Sequence, residues 1–218
     1  MPEYKTEPFI VPSISGLLPE GERNRRVALT AFDARERKVQ VPTREVLCYE
    51  CGRRSHVPSA ALSANCIHCH AHLNMTDVEL RPGSRRLTVR TLGDVTVLPD
   101  AVLSHLSIVC RNLNLEGKAS GSFRCTGTLT IANGTRIEGS VQAGNLVVNR
   151  GVNAILTQGA SLKNASIAGR VAGRVVGKGR VRIERGGELC GDCFAAELQV
   201  EPGGTHLGRW IRQEPGNS

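Results

Sequence analysis

The chain has 218 residues, of which 40% are hydrophobic and only 3% aromatic, with 24 glycines, eight cysteines and a formal net charge of +8. That length gives room for one or two folded domains, and without a run of about 18 apolar residues there is no membrane-spanning helix to expect. The scarcity of aromatics argues against a single-strand nucleic-acid face, which needs stacking platforms.

Residues 1–44 show no clear period. Pro2, Pro8, Pro12 and Pro19 break any long element, and Phe9-Ile-Val11 and Leu17-Leu18 are small apolar islands. A largely unstructured tail is expected. The alternative is a docking peptide for a membrane or a partner. The start, Met-Pro-Glu-Tyr-Lys-Thr-Glu, lacks the basic and apolar regions of a secretory leader. A cytoplasmic protein is therefore expected, with a peripheral place at the inner face of the cytoplasmic membrane as a second location. Basic residues concentrate at Arg23 to Arg26, Arg35 to Lys38, Arg81 to Arg90 and Arg170 to Arg185. The bland reading is a solvated basic surface. The functional one is attraction to lipid headgroups, nucleic acid or cell-wall polymer, with Arg23, Arg25, Arg26, Arg170, Arg174, Lys178, Arg180 and Arg182 as candidates.

Cys48-Tyr-Glu-Cys51 and Cys66-Ile-His-Cys69 are separated by fourteen residues. Two such pairs at this separation read as a zinc site. Each pair offers two thiolates from one tight turn, the first helped by Gly52, and together they surround a tetrahedral Zn²⁺. Val46-Leu47 and His56-Val57 look like strands of a small hairpin, so residues 45–75 are expected to form a zinc ribbon. A segment of about 30 residues buries little core, and the metal supplies much of its folding energy. Two disulfides are the alternative, disfavoured because nothing points to an oxidising compartment. Four cysteines leave no open position for catalysis. His68 and His70 are expected at the surface or behind the ligands.

Residues 76–87 are expected to be a linker or first cap. From Val95 onward the chain repeats itself. Apolar-x-apolar steps fall at Val95-Thr-Val97, Leu113-Asn-Leu115, Leu129-Thr-Ile131, Leu146-Val-Val148, Ala165-Ser-Ile167, Val181-Arg-Ile183 and Leu198-Gln-Val200, spaced 18, 16, 17, 19, 16 and 17 residues apart. Glycines recur at matching offsets, as at Gly117, Gly151, Gly169, Gly186 and Gly203, and again at Gly121, Gly139, Gly173, Gly191 and Gly208. A fixed period of this kind signals stacked repeats, and the step of two inside each unit makes its segments strands. Three short strands and three turns need about 17 residues per coil. The expected architecture is an all-β parallel β-helix of about six to seven coils over residues 88–208, followed by a C-terminal tail, 209–218. A β-sandwich is the alternative, but its strands would not need glycines in register.

Phe123, Val141, Val175 and Cys193 are expected to form one inward column, and Cys110 and Cys125 to lie inward among small residues. Cys190-Gly-Asp-Cys193 is a third Cys-x-x-Cys, but Cys193 takes an inward place and Cys190 an outward one, against a redox role. His206 takes an inward place of the last coil, suggesting a partly exposed end layer, with Trp210 lying over it. The ends of such a stack carry open strand edges that template further pairing. Leu87, Val89, Val95 and Val97 at one end, and Leu198, Val200, His206, Leu207 and Trp210 at the other, are the candidate self-contacts. No phosphate-cradling loop is present, so assembly is expected to need no nucleotide.

The turns in Gly186-Gly-Glu-Leu-Cys-Gly191, the strand that follows to Val200, and the segment from Leu113-Asn-Leu115 through Gly117 and Gly121 resemble the bactofilins, bacterial polymer-forming cytoskeletal proteins. The resemblance covers about 120 residues. It implies a right-handed β-helix that joins end to end into non-polar filaments and serves as a scaffold for cell shape, cell-wall machinery or membrane-associated partners. The family tends to carry a phenylalanine in the last coil, where this chain aligns His206. A non-enzymatic scaffold is thus expected. An acyltransferase β-helix would need strict six-residue steps and a base, His105 or His206, with no evident partner. A zinc-ribbon nucleic-acid or protein binding module with a β-helical oligomerisation domain is the other alternative.

Overall fold

The computed structural model describes residues 41–132, 135–137 and 139–213. The expected tail up to residue 40, with Arg23, Arg25 and Arg26, lies outside the described residues. Among the described residues every regular element is a β-strand. β1 (Thr43–Leu47) and β2 (Arg54–Pro58) form an antiparallel hairpin, and β3 (Ser63–Asn65) and β4 (His72–Asn74) form a second. All remaining strands belong to one parallel sheet wound into a β-solenoid.

The solenoid has three faces. On the first, the partners in successive coils are Val78, Val95, Leu113, Leu129, Leu146, Ala165, Val181 and Leu198, giving eight layers. From Val95 onward these are the residues that open the apolar steps of the sequence. The third face stacks Val89, Ile108, Phe123, Val141, Ala160, Val175, Cys193 and Trp210 in the same way. The second face runs through Leu103 and Ala119 early in the stack, and through Val171, Leu189 and His206 at its end. Side chains of the middle layers are almost wholly buried in one continuous core. Each fully buried Leu, Ile or Phe contributes about 1.5–3 kcal/mol relative to exposure.

Two bounds shift. Of the two readings of residues 76–87, linker or first cap, the linker is corrected: Val78–Leu80 pairs in parallel with Val95–Val97 and starts the solenoid one coil earlier. The apolar pattern fades there because this coil has no second-face strand. Instead the chain turns at Arg81–Ser84, where the Ser84 N–H donates to the Arg81 carbonyl at 3.0 Å and the Arg81 N–H to Ser84 Oγ at 3.1 Å. At the other end, the expected tail contributes Trp210–Arg212, which pairs with 193–195 and completes the third face.

Charged side chains on the outside link successive coils. Arg111 meets Asp94 at 2.9 Å, Arg170 meets Glu188 at 3.5 Å, Arg180 meets Glu197 at 2.9 Å and Arg209 meets Asp192 at 2.8 Å; Arg182 pairs with Glu201. The Arg111 guanidinium holds the Asp94 carboxyl below its ordinary value. These pairs are solvent-exposed, and each adds only about 0–1 kcal/mol. Packing and backbone pairing between coils carry the fold.

The corner between the second and third faces is the tightest point. Gly121 adopts φ +144°, and a Cβ there would lie 2.0 Å from the Leu106 carbonyl oxygen of the coil before. Gly151, at φ +76°, faces open space. Gly121→Ala is therefore expected to lower stability by more than about 3 kcal/mol, because backbone must move. Gly151→Ala should cost only the left-handed backbone penalty, about 1–2 kcal/mol. Denaturant titration of the two variants checks the ranking; equal losses would contradict it.

Candidate functional site

The two cysteine pairs sit on matching turns. In the first, the Gly52 N–H donates to the Cys48 carbonyl at 2.9 Å, with Gly52 at φ +69°. In the second, the His70 N–H donates to the Cys66 carbonyl at 2.9 Å, with His70 at φ +58°. The fifth residue of each turn is thus left-handed, a conformation easy for glycine and strained for histidine. The first turn also aims the N–H groups of Glu50 and Cys51 at Cys48 Sγ, at 3.4 and 3.5 Å.

The hairpins bring the turns face to face. Cys48, Cys51, Cys66 and Cys69 place their four Sγ atoms within 4.8 Å of one another, with Cys48 to Cys69 and Cys51 to Cys66 both at 3.7 Å. All four thiols are free, and they lie close enough to hold one metal ion. Cys48 and Cys66 are buried, Cys51 and Cys69 exposed. The backbone N–H groups of Cys69 and His68 pull the Cys66 thiol down to about 6. The Ala71 N–H pulls Cys69 down as well, but burial and the neighbouring thiols of Cys51, Cys66 and Cys48 outweigh it and push that thiol up to about 12. Four sulfurs this close do not all ionise unaided; a cation resolves the conflict. A full four-thiolate shell leaves no open coordination position. His68 turns away, its Nε2 lying 3.1 Å from the Arg54 carbonyl, and neither it nor His70 joins the cluster.

The other candidates fall elsewhere. The third Cys-x-x-Cys is split between faces: Cys193 is buried in the third-face column, its thiol raised to about 11 by burial, while Cys190 lies outside and donates to Glu188 Oε1 at 3.0 Å. Cys110 and Cys125 are stacked in the core with Sγ atoms 3.6 Å apart. Of the basic candidates, Arg170, Arg180 and Arg182 are ion-paired, Arg174 stacks over the Phe194 ring at 4.6 Å, and Lys178 is exposed. His105, at φ +59°, borders an open hollow of about 380 Å³ with Ser107, Ser120, Ser122 and Gln158. His206 Nε2 lies 3.1 Å from the Gly191 carbonyl. Among the described residues neither histidine is joined to a carboxylate. A groove of about 660 Å³ runs along the first face between Asn145, Asn164, Arg180 and Glu197.

The two ends of the solenoid differ. At the N-terminal end, Leu80 and Val89 are 1% and 5% exposed although they belong to the terminal coil. Val95 and Val97 lie one layer deeper and are buried, so they are not end contacts; the missed layer is Val78–Leu80. Leu87 and Val102 are exposed beside it. At the C-terminal end, Val200 and Trp210 end the inward columns and remain 43% and 48% exposed. Leu207 and Ile211 are exposed on the rim, while Leu198 and His206 are partly covered. Ile211 was not apparent as a candidate, because its place follows only from the pairing of Trp210–Arg212 with the coil before.

Fold and site together define the class: a four-cysteine ribbon whose thiols lie close enough to hold a metal ion, joined to a parallel β-solenoid. No family model, no curated protein and no solved structure matches the chain.

The purified protein is expected to bind one divalent metal ion per chain, read by elemental analysis, and Cys66→Ser should abolish tight binding. His70→Gly should stabilise the ribbon by about 1 kcal/mol by removing the strained left-handed residue, measured by chelator competition. A loss of metal affinity in His70→Gly would contradict the description of that turn.

Proposed function

We propose that this protein is a non-enzymatic scaffold whose β-solenoid self-assembles end to end, without nucleotide, into filaments. The observation that carries this reading is the open C-terminal end. Val200 and Trp210 end the core columns and remain exposed, the rim adds Leu207 and Ile211, and among the described residues no coil follows the strand edges of 198–200, Thr205–Leu207 and Trp210–Arg212. Unpaired parallel edges over exposed apolar side chains form a template for another chain. The resemblance of the coil pattern to bactofilins supports the same role, with cell-shape, cell-wall or membrane-associated proteins as clients and a cytoplasmic location. Pairing of Arg170, Arg180 and Arg182 with carboxylates weighs against a nucleic-acid surface.

The ribbon, in this reading, is a structural zinc adaptor. Sulfurs about 2.3 Å from a zinc ion at a tetrahedral centre stand roughly 3.8 Å apart, and the 3.7 Å separations match.

Leu207→Asp tests the assembly surface without touching the inward columns, since Leu207 points outward beside Cys190. Sedimentation velocity of the wild-type chain should show concentration-dependent species larger than one chain. Trp210→Asp, at the end of a core column, should weaken that association at least about tenfold, as expected for a central apolar anchor, and Leu207→Asp on the rim should weaken it less. A wild-type chain that sediments as a monomer at every concentration would overturn the proposal.

A further inference from the structure

We infer that the metal-binding ribbon latches the first coil of the solenoid as a removable cap, so that metal occupancy decides whether the N-terminal end can accept another chain.

The first coil is the weakest of the stack by construction. It has strands on two faces only, Val78–Leu80 and Thr88–Arg90, and a turn where the second-face strand would lie. Each of those strands pairs on one side only. Yet two of its inward side chains, Leu80 and Val89, are as buried as those of the middle coils, in contrast to Val200 and Trp210 at the opposite end; the third, Val78, is half-buried like Leu198. A half-built coil that nonetheless closes a core is a cap, the usual requirement at the ends of repeat stacks.

What holds this cap is the ribbon. Leu92, at the corner of the first coil, packs against the buried cluster to which Cys48, Cys66 and Leu73 belong. The Leu92 N–H donates to the Asn74 carbonyl at the end of β4 at 2.7 Å. The buried Thr91 hydroxyl donates to the Thr76 carbonyl at 2.6 Å and accepts the Gly93 N–H at 3.0 Å. Arg90 pairs with Glu50, which lies between Cys48 and Cys51 in the first turn. Three consecutive residues of the first coil are thus tied to the ribbon and to the chain leaving it. A ribbon of this size depends on its metal to fold, so metal loss removes the packing partner of Leu92 and the ion-pair partner of Arg90 together. The coil from 78 to 94 then opens, and the edges of Val95–Val97 and of 107–109, with the apolar side chains of that layer, become the new N-terminal end.

The consequence for assembly rests on the end-to-end reading above. Metal-loaded chains join only through their C-terminal ends, and metal release frees a second end for growth. The latch itself does not depend on that reading and is tested separately.

The test is hydrogen exchange of the full chain at high dilution, followed by mass spectrometry, zinc-loaded and after chelation. Exchange in peptides from 78 to 94 should rise about tenfold on chelation while peptides from 113 to 212 keep their protection. Leu92→Ser should produce the same rise with zinc still bound one per chain, and Arg90→Ala a smaller one. A first coil that stays protected after chelation overturns the inference. So does uniform loosening of all coils, or a Leu92→Ser chain whose first coil exchanges like wild type. Exchange is read on single chains, so a failure to assemble would count against the scaffold and leave the latch standing.

Discussion

Parallel pairing between successive coils is the constraint on which the rest of this molecule depends. A strand in the solenoid finds its hydrogen-bond partners only in the coil before and the coil after. Every inward side chain must therefore sit on its equivalent one turn away, and the chain must close each coil in nearly the same number of residues. Close approach of corners follows from this, and so does the glycine at position 121 pressed against the Leu106 carbonyl. The same pairing leaves the terminal strands half-satisfied, which makes the ends the chemically distinctive places on an otherwise repetitive surface.

Much of this was legible in the sequence because strand pairing preserves register. The seven apolar steps from Val95 to Leu198 prove to be partners in adjacent coils, and the two Cys-x-x-Cys turns meet around one point. The first coil escaped notice although Val78-Glu-Leu80 stands one period ahead of Val95. Pro82, Gly83 and the arginines that follow replace the second-face strand and interrupt the pattern. Trp210–Arg212 was hidden for a different reason: it pairs only with the coil before it among the described residues, so its place is marked by no second repeat of the pattern. The contact between ribbon and solenoid left no periodic trace. It rests on Arg90, Thr91 and Leu92, whose partners lie up to forty residues away. The run from Arg170 to Arg185 reads as a basic patch, but its glutamate partners sit one coil further on.

The ends differ in kind, and that difference gives the fold a direction. One end is closed by a partial coil fastened to a four-thiol cluster; the other presents uncovered apolar columns and open strand edges. In the scaffold proposed above, such a unit would have one contact available at all times and a second conditional on the ribbon. The solvated ion pairs along the faces hold successive coils together only weakly, consistent with a surface whose interactions are concentrated at the ends rather than along the sides.

Negative-stain electron microscopy of the purified full chain, without nucleotide and after chelation of its metal, tests the central claim of end-to-end assembly most directly. The expected result is filaments one solenoid wide, lengthening with protein concentration. Uniform single-chain particles at all concentrations, or compact closed oligomers of fixed size, would contradict it.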